Sequence, residues 1–179
     1  AIRHRILLTD RAALFDGEDK GELRNPGPRD PTQIQYTSGT TGFPKGALLH
    51  HNGLVTNGIE AMKRAGVNQG DVFVHHMPLF HTTGCAILAL GGLGVGATML
   101  LAPVFDLGVP TMLVALIEEV ETSERDVSST RRIMSGGSMV PPELCRKARK
   151  VLGAPIQIIY GQTETSPALT QAWYEDSEE

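Results

Sequence analysis

Several common features are scarce or missing in this sequence, and each absence narrows what it can do. There are two cysteines, Cys85 and Cys145, which make neither a disulfide framework nor a metal-ligand pattern. Reduced thiols in a cytoplasmic protein are the simplest reading. There is no basic excess: the formal net charge of −4 leaves no electrostatic footprint for nucleic acid. The opening AIRHRILL is too short an apolar run for a signal peptide, no small-residue cleavage site follows, and it reads as a strand. The longest apolar stretch, Cys85 to Ala102, nearly reaches membrane-spanning length. Gly91, Gly92, Gly94 and Gly96 divide it into a buried helix and a buried strand, so no transmembrane segment is expected. The G-x-x-x-x-G-K-[ST] phosphate loop is missing, as is the G-x-S-x-G elbow of serine hydrolases. What is present, 41% hydrophobic and 20% charged residues in 179, suits one globular domain, or at most two small ones.

The most informative stretch is Tyr36 to Gly46, YTSGTTGFPKG. Gly39, Gly42 and Gly46 let the backbone turn sharply and approach a ligand. The hydroxyls of Thr37, Ser38, Thr40 and Thr41, with exposed backbone N–H groups, are donors suited to phosphate oxygens, and Lys45 adds positive charge. A flexible Ser/Gly linker has a similar composition. Strand-like residues on both sides (Ile34 and Tyr36 before, Ala47 to Leu49 after) favour a loop pinned between two strands.

Strands and helices alternate along most of the chain. Candidate strands are 2–9, 32–37, 47–49, 72–76, 97–102, 131–135 and 155–160. Between them lie helical patterns: Leu54 to Ala65 with Asn52 as N-cap and Gly66 as stop; about Cys85 to Leu93, capped by Thr82 or Thr83; one opened by Pro110; and one from Pro141 or Pro142 to Gly153. In the third, Met112, Leu113, Leu116, Ile117 and Val120 form an apolar face. In the fourth, Arg146, Lys147, Arg149 and Lys150 read as a solvated surface. The expected fold class is α/β: a layered, largely parallel sheet flanked by helices. In such sheets ligands bind beyond the carboxyl ends of strands. The loops at 36–46, 77–83, 135–138 and 160–165 each follow a predicted strand and can converge on one face.

Three of those loops add chemistry. In Tyr160 to Thr165, YGQTET, Tyr160 offers a ring for stacking, Gly161 close approach, Thr163 a hydroxyl and Glu164 a carboxylate suited to Mg²⁺. Gly136, Gly137 and Ser138 make either a tight strand–helix turn or a binding turn with free N–H groups. His81, in PLFHTTG, can be a general base, a metal ligand or a packed imidazole, and no partner acid lies near it in sequence. His75 and His76 read as structural. His50 and His51 point to opposite faces of extended backbone, so they do not chelate one metal.

YTSGTTGFPKG, followed by YGQTE in that order, resembles the motifs of the adenylate-forming ligases: acyl-CoA synthetases, luciferases and peptide-synthetase adenylation domains. The resemblance extends from about Gln33 to Gln171. The wording IQYTSGTTGFPKGALLHHNGL and MPLFHTTGC is most similar to fatty-acyl-CoA synthetases. It implies that the loop from Thr37 through Gly46 holds the ATP phosphates. Tyr160, with Gly161 and Gln162, meets adenine, and Thr163 meets the α-phosphate. Glu164, with Thr41, binds Mg²⁺. Gly136, Gly137 and Ser138 lie between the adenine and acyl sites, and His81 lies near the acid's carboxylate. Lys45, Thr163, Glu164 and His81 are the catalytic candidates, with ATP, CoA and a small carboxylic acid as partners.

The resemblance also implies differences. Family members are much longer, and carry a mobile domain with a catalytic lysine. Residues 1–179 then read as a partial nucleotide- and acyl-binding core, inactive by itself in acid-dependent ATP–pyrophosphate exchange. A helix–strand unit expected between Asp106 and Leu107 is missing. Other readings are a non-catalytic nucleotide- or acyl-binding remnant, or a ligase for an aryl or other acid. The acid's chain length and the oligomeric state are not legible.

Overall fold

A computed structural model describes residues 25–38, 42–102, 109–123 and 125–176. The expected strand at 2–9 and the junction at Asp106–Leu107 lie outside these residues.

The molecule is arranged around helix α1, His51–Arg64. Leu54, Gly58, Ala61 and Met62 recur at helical spacing and are its buried face. The helix begins before Asn52, the residue expected to cap it; His50 holds the extended cap position without a side-chain bond. The reason lies in the preceding backbone. His51 N–H donates to Asp30 O (3.0 Å) and Asn52 N–H to Pro28 O (3.0 Å), so carbonyls satisfy two first-turn donors that a cap normally serves. At the other end Gly66 takes the left-handed conformation (φ 67°), as the sequence suggests.

Strands β1 (Pro31–Thr37) and β2 (Lys45–His50) form an antiparallel hairpin that runs directly into α1. Strand β3 (Val72–His75) lies parallel to β4 (Thr98–Leu101). Between them run a π-helix, Thr83–Gly91, and a short α2, Gly92–Val95. Thr82 occupies the expected cap position, but its hydroxyl is buried and makes no capping bond. The π-helix crosses α1 at small residues: a Cβ on Gly58 would lie 2.2 Å from Ala86 O, and one on Gly91 would lie 2.3 Å from Gly58 O. Ala61 and Met62 meet Ile87 and Leu88 there, with Phe73, Met134 and Ile159 packed around them.

Helix α3 (Val109–Thr122) has Pro110 as its second residue rather than its first. It packs on α4 (Pro142–Leu152) through Leu113, Ile117, Ala148 and Leu152. Burying the three larger side chains, Leu113, Ile117 and Leu152, stabilises by roughly 1.5–3 kcal/mol each. Leu116, expected on the same face, is instead exposed. The basic residues of α4 are exposed, as expected, and Lys147 reaches Glu121 of α3 at 2.8 Å. Strand β5 (Ile133–Gly136) pairs parallel with β6 (Ile156–Gly161). Then β7 (Ala168–Gln171), which the sequence did not suggest, pairs antiparallel with β6.

The α/β class holds. Helices join the strands of both parallel pairs. Among the described residues the strands fall into three small sheets, β1–β2, β3–β4 and β5–β6–β7.

Candidate functional site

The hairpin β1–β2 carries the glycine-rich stretch at its turn. Thr37 is opposite Lys45, and Tyr36 is opposite Gly46. A Cβ on Gly46 would come within 3.0 Å of Ile34 Cγ2 and 3.5 Å of the Tyr36 ring, so glycine lets that ring lie across the strand. Gly42 has φ 82°, a conformation that favours glycine. Ser38, Phe43 and Lys45 are exposed; Thr37 is half-buried. Gly39, Thr40 and Thr41 lie outside the described residues, and with them the expected metal role of Thr41.

The second loop leaves β6. Tyr160 is exposed and pairs with Thr170 of β7. Gly161 sits where a Cβ would be 1.9 Å from Pro167 O, so no side chain fits. Thr163–Thr165 form one 3₁₀ turn, closed by reciprocal bonds between Gln162 and Thr165, among them Gln162 N–H to Thr165 Oγ1 at 3.2 Å. Glu164 is exposed on that turn and Thr163 is half-buried.

Helix α1 fixes this turn beside the hairpin. Asn57 bonds both backbone groups of Ala168, donating to its carbonyl (2.8 Å) and accepting from its N–H (2.9 Å). Arg64 Nε donates to Gln171 O at 3.1 Å. Gln171 Nε2 donates to Ala61 O (3.1 Å), and Gln157 Nε2 to Arg64 O (2.9 Å). At the start of α1, a Cβ on Gly53 would lie 2.9 Å from Ser166 Oγ, so the helix and the turn touch. The 3₁₀ turn also lies against β2, the returning arm of the hairpin.

The other two loops join the same neighbourhood. Gly136 ends β5 opposite Ile159 of β6, one residue before Tyr160. Because β5 and β6 are parallel, Gly137–Ser138 and Tyr160–Thr165 leave the sheet at its carboxyl end, where ligands of such sheets bind. Gly137 has φ 78°, and Gly137 and Ser138 are exposed. His81 is exposed, and its Nδ1 accepts from Thr83 N–H at 3.1 Å. That bond leaves Nε2 as the ring's donor. Gln35 Nε2 donates to Phe80 O at 2.7 Å and so ties His81's loop to the hairpin. His75, read as structural, is buried with Nε2 2.9 Å from Gly84 O.

Sequence reasoning missed Asn57, Gln33 and Gln35. Asn57 showed one signal, an amide beside the apolar stripe of α1. Gln33 and Gln35 sit two apart on a strand and therefore share a face.

The sequence matches the AMP-binding enzyme family over residues 4–179. The chain belongs to that family. Among curated relatives, it is 35% identical over 173 residues to an indoleacetate–CoA ligase of Aromatoleum aromaticum, covering 87% of this chain and 34% of that protein. It is 34% identical over 161 residues to the putative acyl-CoA synthetase YngI of Bacillus subtilis, covering 80% and 29%. Among solved structures it resembles ATP-bound MatB from Rhodopseudomonas palustris, with a TM-score of 0.76, 28% identity, and coverage of 84% of this chain and 33% of that one. The chain thus spans about a third of the length of these proteins. Among its described residues no helix is long and apolar enough to cross a membrane, and no three His, Cys, Asp or Glu residues cluster around a metal-sized site.

Proposed function

We propose that this chain supplies the nucleotide- and acid-binding core of an AMP-forming acid–CoA ligase. The observation that carries the reading is the anchoring of two motif-bearing loops, the 36–46 hairpin and the 160–165 turn, against one helix, α1. Helix α1 holds the segment that follows the second loop through the two Asn57–Ala168 bonds. A relative named as a CoA ligase, another named as a putative acyl-CoA synthetase and an ATP-bound structural neighbour support the same chemistry.

The reaction has two displacements. The acid's carboxylate oxygen attacks the α-phosphorus of ATP; the bond to the bridging oxygen breaks, and pyrophosphate leaves. The thiol of CoA then attacks the acyl carbon, its proton is lost, and AMP leaves. Catalysis of this kind depends on positioning and charge stabilisation. Hairpin N–H groups, the hydroxyls of Thr37, Ser38, Thr40 and Thr41, and Lys45 hold the departing phosphates. Tyr160, Gly161 and Gln162 receive adenine, with Gly136, Gly137 and Ser138 between adenine and acid. Thr163 meets the α-phosphate, and His81 orients the carboxylate through Nε2–H.

The donor set fits Mg²⁺, which binds through one or two carboxylates plus substrate phosphates and needs no protein cage. Glu164 is an exposed carboxylate on the right loop, and Thr41 is its proposed companion. Bound there, the ion supplies neutralisation of phosphate charge.

The acid is proposed to be a fatty acid, on the wording of the hairpin and PLFHTTG segments. The indoleacetate relative makes an aromatic acid the specific alternative. Acid-dependent ATP–pyrophosphate exchange over a panel of aliphatic and aromatic acids, in a ligase containing this chain, decides between them. Exchange with aliphatic acids supports the proposal, and exchange confined to aromatic acids overturns it. The 179 residues alone are expected to bind nucleotide without exchange. Activity above a Lys45→Ala, Glu164→Gln control would contradict that. The cytoplasm is the proposed compartment.

A further inference from the structure

We propose that Gln33 and Gln35 are positioning residues that hold the 78–84 loop in a fixed place beside the hairpin stem. Three side-chain bonds run head to tail. The Cys85 thiol donates to Gln33 Oε1 (3.4 Å), Gln33 Nε2 donates to Gln35 Oε1 (2.9 Å), and Gln35 Nε2 donates to Phe80 O (2.7 Å). Both amides donate and accept in one direction, an arrangement in which each bond polarises the next. The chain starts in the first turn of the π-helix and ends in the middle of the loop. It therefore ties the middle of the loop, at Phe80, to the helix residue just after it, Cys85.

The loop has few other restraints at its tip. Leu79 and Phe80 are 55% and 79% exposed, so apolar burial does not hold them. Its base is closed. His81 N–H donates to Pro78 O (3.0 Å), Cys85 N–H donates to His81 O (2.9 Å), and His75 Nε2 lies 2.9 Å from Gly84 O. A Cβ on Gly84 would meet Pro78 O at 2.2 Å. Between that base and the exposed tip, the Gln35 bond sets where Phe80, and so the adjoining His81, stands relative to Tyr36 and Thr37. The functional meaning, registration of an acid loop against a phosphate loop, rests on the proposed ligase reading. The geometry does not.

Amide hydrogen exchange of the 179-residue chain tests it. Gln35→Leu is expected to speed exchange at His81 and Thr83 by about three- to tenfold, the factor that corresponds to one net hydrogen bond. Exchange at Ala61 and Met62 in α1 stays unchanged. Gln33→Leu gives a smaller acceleration at the same amides, and Gln35→Lys, which keeps a donor for Phe80 O but loses the acceptor for Gln33 Nε2, restores part of the protection. Unchanged exchange in Gln35→Leu overturns the proposal. So does acceleration spread equally through α1, or a Gln35→Lys variant as fast as Gln35→Leu. Adding Mg·ATP to the wild type separates the two claims. Lack of protection at 36–46 would count against the nucleotide reading, while the ligand-free exchange still decides the role of Gln33 and Gln35.

Discussion

Gly58 lies buried inside α1, although glycine costs helix stability relative to alanine. In the fold it is a notch: a Cβ there would lie 2.2 Å from the Ala86 carbonyl, which is backbone and cannot swing away. Gly58→Ala is therefore expected to destabilise the protein by roughly 1–3 kcal/mol, the range of overpacked cores, despite its better helix propensity. Urea unfolding measures this, and an unchanged or raised midpoint would show that α1 and the π-helix separate easily. His76 is half-buried, and burial lowers its pKa from the ordinary 6.5. The unfolded chain then binds the proton more readily than the folded one. The stability from neutral His76 is complete above about pH 6.5 and is lost as pH falls below it toward the folded pKa. The melting temperature should drop between about pH 7.5 and 5.5, and His76→Asn should flatten that drop. A profile identical to wild type would remove His76 as the cause.

At the scale of elements, Asn57 joins α1 to β7 and so holds the YGQTET turn. Asn57→Ala removes both of its bonds to the Ala168 backbone. The expected cost is about 2–3 kcal/mol, with faster exchange at the Ala168 amide; unchanged stability would mean that β7 is held by its pairing with β6 alone. Elements with long apolar periodicity were legible in the sequence: α1, α4 with its Pro142 start and Gly153 stop, and the strands leading into the four loops. Three features were not. Strand β7 has four residues, too few to show a period, and takes its place through side chains of α1 distant in sequence. The π-helix reads as an ordinary apolar helix, because its wider winding leaves no mark on residue type. The start of α1 was misplaced because backbone carbonyls at Pro28 and Asp30, not a side chain, satisfy its first donors.

For the molecule as a whole, the family was more legible than the surroundings of its motifs. The residue types of the hairpin and turn suggest the proposed phosphate-binding role from short local stretches of sequence. The apolar surfaces do not. Val72, Val74 and Leu100, at alternate positions of β3 and facing on β4, are each more than half exposed, and Leu93 and Leu101 are exposed as well. Contiguous exposed apolar surface of this kind marks an interaction face, and the chain spans only about a third of its relatives. By itself it is expected to self-associate at micromolar concentrations in sedimentation velocity, with Val74→Lys, Leu100→Lys reducing the larger species. A monomer with or without those substitutions would show that the face is tolerated bare. The 36–46 hairpin and the 160–165 turn are proposed to form one Mg·ATP site. Calorimetric titration of ATP, with and without Mg²⁺, into the wild type, Lys45→Ala and Glu164→Gln tests it most directly. Mg²⁺ is expected to tighten binding to the wild type, Glu164→Gln to abolish this gain, and Lys45→Ala to weaken binding under both conditions. Equal affinity with and without Mg²⁺, or a full gain retained in Glu164→Gln, would contradict it.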